Sequence, residues 1–199
     1  MNNEREFRAA TALLLIAAMS ISVYHRHKAE RIGGARAPAW QEEGWPLAVA
    51  LRASGFAMWL SVLAYVINPR WMRWSRLNLP PSLRWAGAAT GFASLPLFYR
   101  IFGSLGENVT PTAGTRKHHK LVTTGPYRWV RHPLYSAGAA FAVALNLLVA
   151  NWFTTASGTT ALTLLLMRLP KEEEELIERF GDEYREYAER TGRLFPRFR

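Results

Sequence analysis

Between Pro133 and Pro170 the chain is almost wholly apolar, its strongly polar side chains there being Asn146, Asn151 and Arg168. Wound as one α-helix at 1.5 Å per residue, such a stretch would reach about 55 Å, far beyond the roughly 30 Å hydrocarbon core of a bilayer. It must fold back on itself, most simply near Asn151. Three further apolar blocks of spanning length come before it, from about Ala9 to Tyr24, Pro46 to Ile67, and Trp85 to Ile101. In the first, the basic cluster His25-Arg26-His27-Lys28 follows the apolar run and no clear small-residue cleavage site appears. That block therefore reads as a retained helix and not as a cleaved signal. With 49% hydrophobic and 20% charged residues the averages would suit a soluble domain; their segregation into blocks excludes one. The expected fold is all-α: a polytopic membrane bundle of about five transmembrane helices, the last two a hairpin, followed by a cytosolic C-terminal helix. Residues 1–199 form one integral membrane domain, with helices of its own over about 1–95 and a motif region over about 96–199.

Charge orients the bundle. Of 25 Lys and Arg residues, 16 fall in loop 25–45, loop 102–132 and the tail after Pro170. Six fall in the N-terminal segment and the 68–84 loop. The richer side is expected to be cytosolic, which leaves the N-terminus external. A net charge of +10 raises the question of nucleic acid, but bases placed between apolar spans face anionic headgroups instead. The chain has no cysteine, so disulfides, thiolate metal sites and a Cys nucleophile are excluded. Its five histidines are too few and too scattered for a membrane di-iron centre, and no metal is expected.

Three arginines sit at membrane depth, where a charge is costly and usually faces protein or water. Arg52 lies near the outer end of its span and reads as snorkelling to the interface. Arg100 and Arg168 lie at the cytosolic end, beside the most polar loop. Arg168 and Glu172 share a helix face if the fifth helix runs on past Pro170. After them, Leu176, Ile177, Phe180, Tyr184 and Tyr187 form one apolar stripe, which predicts a single C-terminal helix. Upstream, His119, Lys120, Tyr127, Arg131, His132 and Tyr135 crowd polar groups at the mouth of the hairpin. Gly125-Pro126 marks a turn, and His132-Pro133 a helix start. Composition alone leaves two readings of this crowd open, a headgroup-binding belt and a polar site.

RHPLY at 131–135, preceded by LVTTGPY at 121–127 and followed by Arg168, Glu172, Glu173, Leu176, Phe180, Gly181, Tyr184 and Tyr187, resembles the isoprenylcysteine carboxyl methyltransferase and phospholipid methyltransferase superfamily. The resemblance spans about residues 96–196. It implies transfer of a methyl group from S-adenosyl-L-methionine to a lipophilic acceptor at the cytosolic membrane face, most like protein-S-isoprenylcysteine carboxyl O-methylation. By motif, His119, Lys120, Leu121, Val122, Gly125, Tyr127, His132, Pro133, Leu134, Tyr135, Glu172 and Glu173 would hold the cofactor. Arg168 and Glu172 would form the catalytic pair, and Arg168 and Arg100 would face the acceptor. These residue types suit the ligand: an ammonium needs a carboxylate, a carboxylate needs donors, and adenine needs an apolar slot. The loop GENVTPTAGTRK carries no feature that can be matched. The rival within membrane enzymes is a sterol-type reductase using NADPH, which has a similar Arg-His-Pro-x-Tyr element. Such reductases have Asn after the Pro and lack the paired glutamates, whereas this chain has Leu134 and Glu172-Glu173. Prenylcysteine carboxylates, phospholipid amines, thiols and lipidic acids all remain open as acceptors.

Overall fold

The structure, a computed structural model, describes residues 3–32, 45–106 and 121–197. These form seven α-helices: α1 (Glu4–Ile32), α2 (Trp45–Ile67), α3 (Pro81–Leu105), α4 (Pro133–Val149), α5 (Trp152–Leu166), α6 (Leu169–Phe180) and α7 (Asp182–Arg190). Two 3-10 segments, Pro69–Ser75 and Gly125–Arg128, join them. Among the described residues there is no strand, only two isolated bridges. The long helices alternate in direction. One end of the bundle gathers the start of α1, the α2–α3 connection and the α4–α5 turn; the other carries the motif residues.

The hairpin turns where the apolar run predicts. Ala150 closes α4 in the left-handed region (φ 53°) and Asn151 caps α5, its side chain accepting from the backbone N–H groups of Phe153 and Thr154. The same amide donates to Met72 O and Ser75 Oγ, tying the hairpin to the first 3-10 segment.

One condition is not met, though Arg168 and Glu172 pair without it, and one expectation needs correction. The fifth helix does not continue past Pro170: α5 stops at Leu166, and Pro170 sits in the first turn of a new helix, where its missing N–H costs nothing. Nor is the tail one helix. Gly181 adopts φ +56° and divides α6 from α7, a backbone state that an L side chain resists. The apolar stripe runs across this break, so periodicity alone conceals it.

By length and composition two described helical stretches can cross a membrane, Glu4–Ala29 and Trp45–Ile67, and Pro133–Val149 is a shorter apolar helix. The outside of the bundle is more apolar than its inside. On α2, Val49, Phe56, Leu60, Leu63 and Ile67 form an exposed stripe, while the buried face carries Ala48, Ser61, Val62 and Tyr65. Ser61 Oγ meets Thr154 Oγ1 of α5 at 2.9 Å. In water, so long an apolar patch would drive association; in lipid it is the expected outer face, with small and hydroxyl residues joining the helices. Two helices approach closely at Gly87 of α3, where a Cβ would stand 2.7 Å from the Ala144 backbone oxygen of α4 and 2.8 Å from Leu147 Cβ. Gly87→Ala is therefore expected to cost about 1–3 kcal/mol of stability. Gly55→Ala, with open space around the added carbon, should be neutral or stabilise by up to about 1 kcal/mol. Unfolding of the two detergent-purified variants checks this directly.

At the end away from the motif, four helices converge on one buried cation. Arg84 of α3 is 4% exposed. Its Nη1 lies 2.9 Å from Glu4 Oε2, its Nη2 donates to Tyr65 Oη at 2.7 Å, and its Nε to Leu148 O at 2.9 Å. The ring of Phe7 covers its Cζ at 3.9 Å. Counted by position among the loop charges, Arg84 is in truth an interior one.

Candidate active site

At the opposite end, α6 crosses the start of α4 and brings two consecutive glutamates against the Arg-His-Pro-Leu-Tyr segment. Glu173 is clamped. Its Oε1 accepts from Arg131 Nε at 3.1 Å and from His132 Nε2 at 3.2 Å, and its Oε2 lies 3.1 Å from Arg193 Nη2. Glu172, one residue earlier, accepts from the Tyr135 hydroxyl and stands 3.6 Å from Arg168 Nη2. Thus the structure brings Arg168, His132, Tyr135, Glu172 and Glu173 together; spacing pairs Arg168 with Glu172, and the motif resemblance adds the others.

The clamp depends on residues 191–197. Gly192 N donates to Trp129 O, Arg131 N to Gly192 O and His132 N to Arg193 O, in register with the parallel bridge Val130–Gly192. Arg131 Nη1 also caps the end of α7 through Ala188 O and Thr191 O, at 2.8 and 2.6 Å. Tyr187 Oη donates to Tyr127 O at 2.6 Å; burial pushes this phenol up to about 12, so it remains a donor.

Beneath the polar cluster, Ile101, Tyr127 and Ala137 form a small core against which Val122 and Leu134 pack, and Pro133 is buried at the start of α4. Leu121 is half-buried. Gly125 turns with φ +61° directly over Ser104 of α3. From α1, the buried His25 stacks on Phe102 at 5.9 Å, and Phe102 packs against Leu134. Arg100 is exposed on α3, and no contact among the described residues joins it to the glutamates. His119 and Lys120 lie outside the described residues. Arg131, one of the polar crowd at the mouth of the hairpin, has no role assigned from the sequence, and Arg193 and His25 are not placed in the site at all. Arg131 is signalled by adjacency to His132, whereas nothing in the local sequence marks the other two.

Burial alone would raise the Glu173 carboxyl, but the Arg131 hydrogen bond and the charges of Arg131, Arg193 and His132 outweigh it and hold it below its ordinary value. Burial is the largest influence on His132 and lowers it; Glu173 pulls it back up, Arg131 and Arg193 push it further down, and the ring stays below its ordinary value. At neutral pH His132 is therefore neutral, donating from Nε2–H. Both groups have depressed folded values, so each contributes stability that is complete above its unfolded pKa, about 6.5 for His and 4.3 for Glu, and is lost as pH falls through the folded value. The melting temperature is expected to be flat above about pH 7 and to fall on acidification, first through His132 and then through Glu173. His132→Asn should remove the first phase, and a pH series of thermal melts reads it.

A family model described as isoprenylcysteine carboxyl methyltransferase (ICMT) matches residues 92–178. Over this segment the chain is similar to the isoprenylcysteine carboxyl methyltransferase family. The family segment opens within α3 and closes within α6, and so contains both glutamates, Arg168 and the Arg-His-Pro-Leu-Tyr element. Residues 191–197, which complete the clamp, lie outside it. Among similar proteins, one from Oryza sativa subsp. indica named "Probable protein-S-isoprenylcysteine O-methyltransferase" is 41% identical over 79 residues, 39% of this chain and 41% of that protein. The Schizosaccharomyces pombe protein named "Protein-S-isoprenylcysteine O-methyltransferase" is 35% identical over 114 residues, 55% of this chain and 48% of that protein. The chain thus spans less than half the length of either relative. A solved structure of a eukaryotic intramembrane Ras methyltransferase ICMT superposes with a TM-score of 0.51 at 20% identity, covering 76% of this chain and 52% of that one. That likeness concerns the fold, and it agrees with the all-helical architecture.

Proposed function

We propose that the chain transfers a methyl group from S-adenosyl-L-methionine to a lipophilic acceptor, a prenylcysteine carboxylate before a phospholipid amine or a thiol. We further propose that α1 to α5 all cross the bilayer and that the glutamate end is cytosolic. The carrying observation is the convergence of two consecutive glutamates on the Arg-His-Pro-Leu-Tyr segment, inside the stretch that the family model matches. Glu173 is bound by Arg131, His132 and Arg193, and Glu172 by the Tyr135 hydroxyl beside Arg168.

That donor set fits a zwitterionic amino-acid tail. Glu172 takes the ammonium; the Tyr135 hydroxyl, turned from Glu172, serves the carboxylate with His119 and Lys120, while His132, its N–H given to Glu173, lines the site. Leu121, Val122, Pro133, Leu134 and the turn from Gly125 to Tyr127 line the bed for the base. When bound, the sulfonium supplies an electrophilic methyl group that requires no acid or base from the protein. The work of the chain is therefore alignment and exclusion of water. Arg168 fixes an anionic acceptor through its planar fork, and Glu173 positions His132 without meeting the ligand.

Calorimetric titration of the purified protein with S-adenosylhomocysteine and, separately, NADPH tests this reading: binding of the first and not the second is expected, and the reverse would make it a reductase. A labelled donor offered with prenylated N-acetylcysteine, an aminophospholipid and a thiol then ranks the acceptors. For topology, a reporter joined after Arg199 should read cytosolic and one placed before Met1 external. Both on one side would mean an even number of spans.

A further inference from the structure

The 3-10 segment Pro69–Ser75 sorts its side chains with a period of three. Arg70 and Arg73, continued by Arg76, lie along one ridge and are exposed. Trp71 and Trp74 form a second ridge, 59% and 61% exposed. Met72 and Ser75 form the third, buried and held by Asn151. The backbone leaves the helical region at Met72 (φ −105°, ψ 16°) and is extended at Arg76, and all three arginines still line one pocket, which puts their guanidinium groups on a shared edge.

That edge rims a pocket of about 110 Å³, whose other walls include Glu4, Tyr65 and Asn151. Glu4 is already engaged: it lies 2.9 Å from buried Arg84 and only 3.5 Å from Arg76. Three exposed cations therefore face one carboxylate that a fourth cation shares, and the rim is net positive. Beside it the Trp74 ring meets Trp152 edge-on at 5.3 Å and Phe153 at 5.5 Å. This makes an aromatic ledge level with the ends of α2 and α4, where amphipathic rings settle at a headgroup boundary.

We infer that this end of the bundle, remote from the glutamates, binds the phosphodiester of an anionic phospholipid, with Arg70, Arg73 and Arg76 on the phosphate and Trp71 and Trp74 against the acyl–headgroup boundary. A forked guanidinium suits phosphate oxygens, and bases at a membrane surface attract anionic lipid. The inference requires the bundle to lie in a membrane and does not depend on methyl transfer.

The test is native mass spectrometry of the detergent-purified full chain with equimolar phosphatidylglycerol and phosphatidylcholine. Phosphatidylglycerol adducts should dominate. Combined Arg70→Gln, Arg73→Gln and Arg76→Gln should lower the ratio of the two lipids by at least about fivefold. Arg70→Gln with Arg73→Gln, which spares the contact to Glu4, should still lower it about threefold should the triple variant prove unstable. Arg179→Gln, Arg185→Gln and Arg190→Gln together, at the opposite end, should leave it unchanged. An unaltered ratio in the rim variants, or an equal loss in the control, would overturn the site. Displacement of the lipid by millimolar inorganic phosphate would show recognition of free phosphate and overturn the lipid assignment.

Discussion

Arg168→Ala is expected to lower methyl transfer by about a hundredfold or more, the equivalent of roughly 3 kcal/mol for a lost charge-assisted contact, while S-adenosylhomocysteine affinity stays within a few-fold. Glu172→Gln should instead weaken cofactor binding itself. The two side chains are four residues apart with a nitrogen–oxygen distance of 3.6 Å, an ion pair longer than a hydrogen bond. Arg168→Lys keeps the charge but not the planar fork, and should restore activity only in part. Were the pair merely stabilising, removing either partner would strand a charge costing about 3–5 kcal/mol. Both functions would then fall in parallel and the double variant would recover some of each. Turnover and affinity measured on the same folded preparations distinguish these outcomes, and parallel loss with recovery would sink the division of roles.

Glu4→Ala should produce the largest loss of stability of any single change considered, about 3–5 kcal/mol, because it leaves Arg84 buried without its carboxylate. The effect should spread, since the cluster joins α1, α2, α3 and α4 through Glu4, Tyr65, Arg84 and Leu148 O. Glu4→Gln, which still offers an oxygen to Tyr65 and Arg84, should lose less. Glu4→Ala combined with Arg84→Met should recover much of the difference, since a buried pair replaced by apolar side chains is often neutral or better. Thermal unfolding in one detergent ranks the variants. If Glu4→Ala melts like the wild type, Arg84 is not the fastening of the bundle.

Elements governed by local composition were legible in the sequence. Apolar block length gives all five long helices, and Asn151 stands at the hairpin for a local reason, as a helix cap. Residues whose meaning lies in distant partners were not. Arg84 looks like one more loop cation until Glu4, eighty positions upstream in the chain, is set against it. Arg193 has no motif, and it joins the site only through the bridge between Val130 and Gly192. The opposite failure occurs at Gly181, where a regular stripe suggests continuity and the backbone breaks. At the site, spacing pairs Arg168 with Glu172, and the motif resemblance adds Tyr135 and His132. The different partners of the two glutamates follow from neither, because Arg131 and Arg193 reach Glu173 from elements far from it in the chain.

The hydrogen bonds that join Gly192 and Arg193 to Trp129, Arg131 and His132 also bear on how the protein can be damaged. Both residues lie after every long helix in the chain, so a protease that cuts between α7 and Arg193 would leave the bundle whole. It would nonetheless take from Glu173 one of its cations and from Arg131 and His132 the backbone partners that hold them. Such a nicked chain would keep its helical content and lose the geometry of its glutamates.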